Sequence, residues 1–319
     1  MFNNKRLLIT GGTGSWGTEL TKQLLQFNPK EIIIYSRNEA NQVSFYRNFN
    51  NEILKMIIGD VRDYGELKHA CQGIDYVFHL SALKHVPVCE YQPYESIKTN
   101  INGTRNVIRA CVDNNIKIMA DVSSDKAVLP INVYGMCKAI GEKLTLNASL
   151  LNSNTKFMVI RGGNVMGTAG SAIPLFITQI KKYNKITLTN KEMTRYFLTL
   201  PEAIKLLFTA IESNINGALF VMKMPACRII DLAEVLIEYY GNKDTKIEEI
   251  GIRPGEKINE VLISEHESPY TYIYDDNYYF ISHKEVDYPK VNFKEYNSST
   301  NLMNKKEIKS LLDKGGFIC

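Results

Sequence analysis

The sequence predicts an α/β protein of the Rossmann type, with a doubly wound parallel sheet and a smaller, interleaved C-terminal domain. Short apolar runs alternate with amphipathic stretches through the first half of the chain, which is typical of βαβ units. A glycine-rich loop joins the first apolar run to the first amphipathic stretch. After about residue 165 the alternation breaks, which indicates that the smaller domain begins there.

Six apolar runs have the length of buried strands, at residues 6–10, 31–35, 56–58, 76–80, 118–122 and 157–161. The stretches between them are predicted helices, at 17–27, 40–49, 64–71, 103–114 and 133–151. Later helices are predicted at 174–183, 201–213 and 229–240, and a strand at 219–221 is expected to return to the sheet. We therefore predict a Rossmann-type domain over residues 1–165, with its sheet completed at about 215–224, and a smaller domain with a C-terminal extension over 166–319. Residues 268–301 show little periodicity and are predicted to be an extended excursion that contacts a neighbouring subunit.

Composition narrows the class of protein. With 45% hydrophobic and 23% charged residues, the 319-residue chain has the balance of a soluble globular protein with a sizeable core. The net charge of +4 is small and the basic residues are dispersed, so nucleic-acid binding is not indicated. The six cysteines and five histidines show no metal-like spacing, so no metal site is predicted. With no signal-peptide pattern and no membrane-spanning apolar run, the chain is expected to be cytoplasmic.

The first predicted strand runs directly into a glycine-rich loop that precedes the first helix. Glycines at this spacing allow a tight turn and let the backbone approach a pyrophosphate at the helix N-terminus. A glycine-rich turn without a ligand is the alternative, but the strand–loop–helix context favours a dinucleotide. The loop residues predicted to contact the cofactor are Gly11, Thr13, Gly14, Ser15, Trp16 and Gly17.

The residues after the second predicted strand favour NADP over NAD. An NAD enzyme usually has an acidic residue there, which binds the ribose hydroxyls. This chain has Ser36, which removes that charge, and Arg37, which supplies a cation for a 2′-phosphate. The alternative is that Arg37 is only a surface residue. Asp60 is expected to meet the adenine, although an ordinary strand-end carboxylate would look the same in the sequence. The remaining predicted cofactor contacts are Asn38, Val61, Leu80, Tyr134 and Lys138.

Five polar residues after the fifth predicted strand form the predicted catalytic group: Ser124, Asp125, Lys126, Tyr134 and Lys138. Tyr134 and Lys138 are four positions apart and lie on one helix face, where the ammonium favours the phenolate. The phenolate can then take a proton from a sugar hydroxyl during hydride transfer. Alone, such a pair is more often a solvated helix face. Asp125 and Lys126 add an acid and a base for a second reaction. Because adjacent strand residues face opposite ways, an irregular backbone must aim both inward.

The chain also contains the segments GDVRD (59–63), ALKHVP (82–87), KTNING (98–103), SDKA (124–127), PINVYG (130–135), GNVMG (163–167), MTR (193–195) and GIRPGEK (251–257). Together these resemble the extended short-chain dehydrogenase/reductase superfamily and, more narrowly, the C5-inverting UDP-N-acetylglucosamine 4,6-dehydratases. The resemblance covers about residues 5–263. Its specific part is the Asp125-Lys126 pair, because related dehydratases that leave C5 unchanged commonly have Asp-Glu there and C4 epimerases lack the acid–base pair.

The resemblance implies a closed redox cycle on UDP-GlcNAc, giving UDP-2-acetamido-2,6-dideoxy-β-L-arabino-hex-4-ulose for pseudaminic acid or related deoxy-sugar biosynthesis. Tyr134, with Ser124 and Lys138, would remove the C4 hydroxyl proton while hydride leaves C4. Lys126 would then take the C5 proton, and Asp125 would protonate the departing C6 hydroxyl. For this step Lys126 must be neutral, and its burial is expected to lower its pKa.

Substrate contacts are implied at five positions besides Lys126. Arg195 and Arg253 are expected to bind the diphosphate, because a planar guanidinium holds phosphate at two points. Glu256 is expected to accept from the ribose hydroxyls, and Lys84 and Asn164 match positions that contact substrate in the family. Each of these residues alone would be taken as a surface or structural residue.

Two departures from the family pattern leave the substrate and the end point open. Ala169 stands where the family often has arginine, and Ser81 where alanine is usual close to the nicotinamide. An enzyme that releases or consumes a 5,6-ene, and a C4 epimerase or ketoreductase of the same superfamily, are the alternatives. A cofactor-sensing regulator with a dead site is disfavoured by the intact Ser124, Tyr134 and Lys138. The superfamily also implies a homo-oligomer, from dimer to hexamer.

Overall fold

The structure is a computed structural model that describes residues 1–167, 171–252 and 255–318. Its strands are β1 (Arg6–Thr10), β2 (Glu31–Ser36), β3 (Leu54–Ile58), β4 (Tyr76–His79), β5 (Ile118–Ser124), β6 (Lys156–Gly162), β7 (Asn164–Val165), β8 (Lys185–Leu188), β9 (Thr194–Leu198), β10 (Ala218–Met222), β11 (Ala226–Arg228), β12 (Lys246–Glu249), β13 (Val261–Ile263), β14 (Thr271–Ile273), β15 (Tyr278–Ile281) and β16 (Tyr296–Asn297). Its α-helices are α1 (Ser15–Leu25), α2 (Glu39–Phe49), α3 (Tyr64–Ala70), α4 (Val86–Tyr91), α5 (Pro93–Ser96), α6 (Gly103–Asp113), α7 (Val133–Ala148), α8 (Ala172–Tyr183), α9 (Leu200–Ser213), α10 (Ile229–Tyr240) and α11 (Lys305–Lys314). A π-helical turn lies at Ile97–Asn102, and 3₁₀ turns lie at Asp125–Ala127 and Ser268–Tyr270.

Within the described residues, nine strands form one sheet in the order β14-β15-β10-β6-β5-β4-β1-β2-β3. Neighbouring strands in the part of this order that runs from β10 through β6, β5, β4, β1 and β2 to β3 are parallel. The chain passes from β1 to β2 and β3 on one side and then returns to β4 on the other, so the winding changes direction between β1 and β4. In such sheets ligands bind at the carboxyl ends of the strands beside this switch point. The prediction of a Rossmann-type α/β fold is confirmed.

Both faces of the sheet are covered, which explains why its strands are continuous apolar runs. Successive residues of a strand face opposite sides. In β1, Leu7 and Ile9 belong to a buried cluster shared with α1 and α9, whereas Leu8 belongs to a cluster shared with α3 and α6. A strand buried on two sides has no polar face, so it shows no apolar–polar alternation. The predicted bounds of these elements differ from the structure by three residues at most.

The predicted excursion at residues 268–301 is partly regular. β14 and β15 form an antiparallel hairpin, and β15 pairs antiparallel with β10. Two further strands therefore extend the sheet, which is not completed at 215–224 as predicted. The strands have three and four residues and are joined by aromatic packing, with the rings of Tyr272 and Phe280 stacked at 5.2 Å. Runs this short give no readable periodicity. The domain division at residue 165 and the contact with a neighbouring subunit stay predictions.

A C-terminal layer, which we define as α8, α10, α11, β8 and β9, shares a third buried cluster. Helix α11 was not predicted from the sequence. It begins with a capping box between Asn304 and Glu307, and its Lys305 forms an ion pair with Glu234 of α10 at 2.6 Å. Residues of α8, β8 and β9 line the same cavity as the loops after β1 and β4, so this layer forms one wall of that cavity.

His79 ties the end of β4 to two neighbouring elements. Its Nδ1 lies 2.7 Å from Thr10 Oγ1 of β1, and its Nε2 lies 3.1 Å from Thr104 Oγ1 of α6. The side chain is almost completely buried. Burial lowers the pKa of His79 to about 4, although the nearby Asp121 opposes this. The neutral ring is therefore the form that the folded protein keeps.

We expect His79 to make the protein sensitive to mild acid. Because its pKa in the folded state is depressed, the stability it contributes is complete above its ordinary pKa of 6.5 and is lost as the pH falls toward 4. His79→Gln should remove about 3 kcal/mol from the fall in unfolding free energy over this range, measured by urea denaturation. The exposed His69, changed to Gln, is the control. An unaltered pH dependence in H79Q would contradict the assignment.

Candidate active site

The carboxyl edge of the sheet opens into a cavity of about 850 Å³. The loops after β1 to β5, helix α7 and the C-terminal layer all contribute to its wall. The predicted site residues that line it are Gly11, Thr13, Gly14, Ser15, Trp16, Ser36, Arg37, Asn38, Asp60, Val61, Leu80, Lys84, Ser124, Asp125, Lys126, Tyr134, Lys138, Asn164, Arg195 and Glu256. Gly17 is not part of this wall, and Arg253 lies outside the described residues.

The glycine-rich loop has the form that a dinucleotide pyrophosphate requires. Gly11 has a φ of 68°, and a Cβ there would lie 2.9 Å from the backbone of Ser81, so only glycine fits without strain. Gly14 caps α1 at the cavity wall, and the nearest neighbour of a Cβ there would be the carbonyl oxygen of Gly11 at 3.5 Å. The first turn of α1 therefore presents unpaired N–H groups, and the positive end of the helix dipole, to an anion. These residues fit a nicotinamide dinucleotide.

Gly17 packs against the loop and is not among the residues that line the cavity, so its predicted cofactor contact stays a prediction. It lies inside α1, and a Cβ there would sit 2.1 Å from the carbonyl oxygen of Gly12. The absent side chain lets the helix lie directly against the loop. This is the part that the third glycine plays in a dinucleotide-binding fingerprint.

We expect Gly17→Ala to weaken cofactor binding without any lost contact to the cofactor. The added methyl must push α1 away from the loop, and overpacking of this kind costs about 1–3 kcal/mol. The dissociation constant, measured by calorimetric titration, should rise about tenfold or more. Gly65→Ala in the first turn of α3 is the matched control, since its Cβ would meet no atom nearer than 3.5 Å. Equal affinity of G17A and the unchanged chain would refute the packing role.

Arg37 carries a loosely held cation on the cavity wall. Its side chain is 52% exposed, and its Nη1 lies 3.9 Å from Asp60 Oδ2. Asp60 is bound more closely by Arg62, whose Nε donates to Oδ2 at 2.8 Å. Burial would raise the pKa of Asp60, but the hydrogen bonds from Arg62 and the charge of Arg37 keep it below its ordinary value. Ser36 accepts a hydrogen bond from Gln42 at 3.1 Å and adds no charge of its own beside Arg37.

A 3₁₀ turn at the end of β5 allows the two adjacent side chains that are predicted to be catalytic to face the same side. Ser124 caps the turn, since its Oγ accepts from the N–H of Lys126 at 3.2 Å. The same hydroxyl donates to Asp125 Oδ1 at 2.7 Å. Outside a regular pleat, Asp125 and Lys126 no longer have to face opposite ways. Both side chains line the cavity.

Asp125 and Lys126 form an ion pair, and its electrostatics correct one prediction. Lys126 Nζ donates to Asp125 Oδ1 at 3.1 Å and lies 3.7 Å from Glu260 Oε1. Burial by itself lowers the pKa of Lys126, as predicted, but the charges of Asp125 and Glu260 outweigh it and raise the pKa above its ordinary value. The amine is therefore charged in this structure, and the predicted neutral form requires a proton to leave it.

Tyr134 and Lys138 lie in α7, which begins where Asn132 caps it by accepting from Gly135 N at 2.7 Å. Both side chains are buried and line the cavity. Lys138 Nζ donates to the carbonyl oxygen of Val122 in β5 at 2.6 Å, so the ammonium is fixed to the sheet. The structure thus places the predicted pair on one side of the same cavity as Asp125 and Lys126.

The contacts of Arg195 do not support two-point phosphate binding. Its Nη1 donates to the carbonyl oxygens of Thr194 and Ile258 at 2.7 and 2.9 Å. Its Nη2 donates to the carbonyl oxygen of Lys257 at 2.8 Å and faces Met193 Sδ at 3.4 Å. These donors already have acceptors within the protein. Two-point binding of a phosphate by Arg195, as predicted, would require these hydrogen bonds to break. Arg195 lines the cavity as a fixed charge.

Three other residues that are predicted to contact substrate line the cavity: Lys84, Asn164 and Glu256. Lys84 is exposed there, and Asn164 is half-buried in β7. Glu256 Oε2 is buried and has no hydrogen-bond partner among the described residues, as expected of a group that accepts from a ligand. The predicted diphosphate contact of Arg253, and the departure at Ala169, lie outside the described residues.

Glu260 lines the cavity and was not predicted from the sequence. It follows the GIRPGEK segment without belonging to it, and one glutamate in a polar stretch carries no signal of its own. Its neighbours Lys126 and Arg195 come from distant parts of the chain. Only the folded structure brings these three charges together.

A family model described as polysaccharide biosynthesis protein matches residues 7–282. The chain belongs to this family. A relative in Campylobacter jejuni subsp. jejuni, named UDP-N-acetylglucosamine 4,6-dehydratase (inverting), is 44% identical over 286 residues, covering 88% of this chain and 84% of the relative. A Rickettsia felis relative named UDP-glucose 4-epimerase is 41% identical over 332 residues, covering 98% of this chain and 96% of the relative. The predicted resemblance to inverting dehydratases is confirmed. The chain is also similar to relatives that are named epimerases.

The fold is also confirmed by a solved structure, the X-ray structure of Pen from Bacillus thuringiensis. It is 38% identical, has a TM-score of 0.95 and covers 100% of both chains. A relative in Methanocaldococcus jannaschii, 42% identical over 330 residues and covering 99% of this chain and 98% of the relative, is named an uncharacterized membrane protein. Among the residues described here, none of the helices has the length and apolar composition needed to cross a bilayer.

Proposed function

We propose that this protein is a nucleotide-sugar 4,6-dehydratase that acts on UDP-GlcNAc and inverts C5. The observation that carries the proposal is the Asp125–Lys126 pair, which opens into the same cavity as Tyr134 and Lys138. Tyr134 and Lys138 are sufficient for oxidation and reduction at C4. Loss of water also needs a group that removes the C5 proton and a group that protonates the C6 hydroxyl. Asp125 and Lys126 are chemically suited to these two tasks.

The first step uses Tyr134 as the base. Bound nicotinamide dinucleotide supplies a reversible acceptor for the C4 hydride. Lys138 lies one helical turn beyond Tyr134 and is fixed by the Val122 carbonyl, so its positive charge is placed to stabilise the negative charge that the base carries. Tyr134 then removes the proton of the C4 hydroxyl, and Ser124 helps to hold that hydroxyl. The resulting 4-ketone makes the C5 proton acidic.

The second step begins with a proton transfer inside the ion pair. The pair holds one proton, which rests on Lys126. Moving it to Asp125 across the 3.1 Å hydrogen bond gives a neutral amine and a protonated carboxyl. Lys126 then takes the C5 proton, and Asp125 gives its proton to the departing C6 hydroxyl, which leaves as water. The pair ends as it began, and the sugar becomes a 5,6-alkene that accepts hydride at C6 and a proton at C5.

We expect Lys126→Met to abolish dehydration and to leave cofactor affinity unchanged. Without the amine the C5 proton has no base, so turnover should fall about 100-fold or more. The sugar is followed by NMR in deuterated water, which reports the loss of the C6 hydroxyl and the deuterium that enters C5. Lys143→Met, at an exposed position of α7, is the control. Undiminished water release by K126M would rule out the assigned role.

A C4 epimerase is the second candidate, favoured by the Rickettsia felis relative that carries this name. The same NMR experiment separates the two reactions. An epimerase would return a sugar that keeps its C6 hydroxyl and takes no deuterium at C5. An alkene signal that persists would identify an enzyme that releases the 5,6-ene.

We also propose that NADP is the preferred dinucleotide, supported by Ser36 and by the half-exposed guanidinium of Arg37. A charged hydrogen bond to a 2′-phosphate contributes about 1.5–3 kcal/mol. Arg37→Met should therefore weaken NADPH binding about 10- to 100-fold and change NADH binding little, measured by fluorescence titration of both. NADH is the internal control. Equal losses of affinity for the two dinucleotides would show that Arg37 does not bind the 2′-phosphate.

The pathway and the assembly are proposals that rest on the same activity. The product would suit pseudaminic acid or related deoxy-sugar biosynthesis in the cytoplasm. A homo-oligomer is supported by an apolar face on two helices that pack together, α4 and α7. Its exposed side chains are Val88, Tyr91, Met136 and Ile140.

A further inference from the structure

Glu260 is a buried charge that the proposed reaction does not use. It is 3% exposed, and its Oε1 lies 3.7 Å from Lys126 Nζ and 3.6 Å from Arg195 Nε. Its Oε2 has no hydrogen-bond partner among the described residues. A buried carboxylate is costly unless the surrounding charges compensate for the lost water. Its place between two cations of the cavity wall therefore needs an explanation.

The backbone around Glu260 is fixed. Its N–H donates to Ser298 Oγ at 2.9 Å, and its carbonyl oxygen accepts from Ser298 N at 2.8 Å. Ser298 Oγ lies 2.6 Å from Thr194 Oγ1, which ties this segment to β9. Arg195 is fixed as well, by its bonds to the carbonyl oxygens of Thr194, Lys257 and Ile258. The Lys126 ammonium donates to Asp125 Oδ1 at 3.1 Å, so Glu260 places a negative charge from a fixed backbone segment beside the cation of that pair.

We propose that Glu260 is a positioning residue for the Asp125–Lys126 pair: its fixed carboxylate orients the Lys126 ammonium and keeps one proton on the pair over the working pH range. The inference rests on the proposed function for its catalytic meaning. Glu260 acts through Lys126, and the chemistry at the sugar remains with the pair.

The balance of charge around Lys126 supports this role. Asp125 and Glu260 are the carboxylates that face it, and Arg195 and Lys257 are the cations. The charge of Asp125 also acts on the buried Tyr196 and helps to raise its pKa, after the larger effect of burial. Without Glu260 the ammonium would face one anion and two cations, in a site where burial already disfavours charge. The Asp125 carboxylate alone would then have to offset the effect of burial and the charges of Arg195 and Lys257.

Removal of this negative charge should lower the pKa of Lys126. A nearby anion stabilises the ammonium, so the proton leaves more readily once the anion is gone. Under the proposed function the pair is active while it holds one proton. Glu260→Gln should therefore shift the alkaline limb of the activity profile to lower pH. A purely structural change would lower the amount of active enzyme and leave this limb in place.

The direct test measures the ionisation of Lys126 and does not depend on turnover. The full chain is labelled at the lysine ¹³Cε, and the Lys126 signal, assigned from the spectrum of K126M, is titrated against pH. We expect the titration of Lys126 in E260Q to move to lower pH by about one unit or more. Glu260→Asp keeps the negative charge but places it farther from Lys126, because the side chain is one methylene shorter. The Lys126 titration in E260D should therefore move in the same direction by a smaller amount. Glu265→Gln, at an exposed position nearby, should leave the titration unchanged.

The outcomes separate this inference from the proposed function. Identical Lys126 titrations in the unchanged chain, E260Q and E260D overturn the positioning role. The E260D measurement decides the question if E260Q does not fold. A shift in E260Q together with no dehydration by the unchanged chain supports the role of Glu260 and refutes the proposed reaction. Dehydration by E260Q with an unshifted alkaline limb of its activity profile shows that Glu260 has no part in the mechanism.

Discussion

The hydrogen-bonded pair of Asp125 and Lys126 is the interaction on which the rest of the site depends. Asp125 is 1% exposed, and a buried carboxylate without donors would be strongly unfavourable. Its Oδ1 accepts from both Ser124 Oγ and Lys126 Nζ. A regular strand would direct neighbouring side chains to opposite faces and separate these groups. The short 3₁₀ turn after β5 is therefore the local structure that makes an acid and a base possible at adjacent positions.

The same strand also fixes Lys138, one of the two residues proposed for the oxidation step. The carbonyl oxygen of Val122 in β5 binds Lys138 Nζ at 2.6 Å, two residues before the strand ends at Ser124. The groups proposed for oxidation and those proposed for elimination are thus anchored to one strand end, beside the switch point of the sheet. An intermediate that stays in place can meet both sets of groups in turn. This placement suits a reaction that oxidises, eliminates and reduces at neighbouring carbons without releasing the sugar.

How far the sequence predicted this structure depends on the range of the contacts involved. β1 and α10 begin and end at the predicted residues, because burial on fixed faces produces regular apolar patterns. The hairpin β14–β15 was missed because its strands are too short to show a period. The commitment of Arg195 to three backbone carbonyls, and the position of Glu260, depend on contacts between distant segments. The sequence pattern identified Asp125, Lys126, Tyr134 and Lys138 as side chains of one site, and all four line the cavity. The ionisation of Lys126 depends on Glu260, a partner that only folding brings near.

Lys126 shows what this difference means for mechanism. Burial alone predicted a neutral amine, but two carboxylates within 3.7 Å keep it charged. The proton need not leave the site, since Asp125 can receive it and becomes the acid that the second step requires. In the open cavity a quarter of the Lys126 side chain is exposed, and water stabilises the separated charges. A bound sugar that excludes this water removes part of that stabilisation and brings the neutral pair closer in free energy. Under the proposed function, substrate binding itself then prepares both the base and the acid, while the fixed charge of Glu260 limits how far the proton shifts before the sugar arrives.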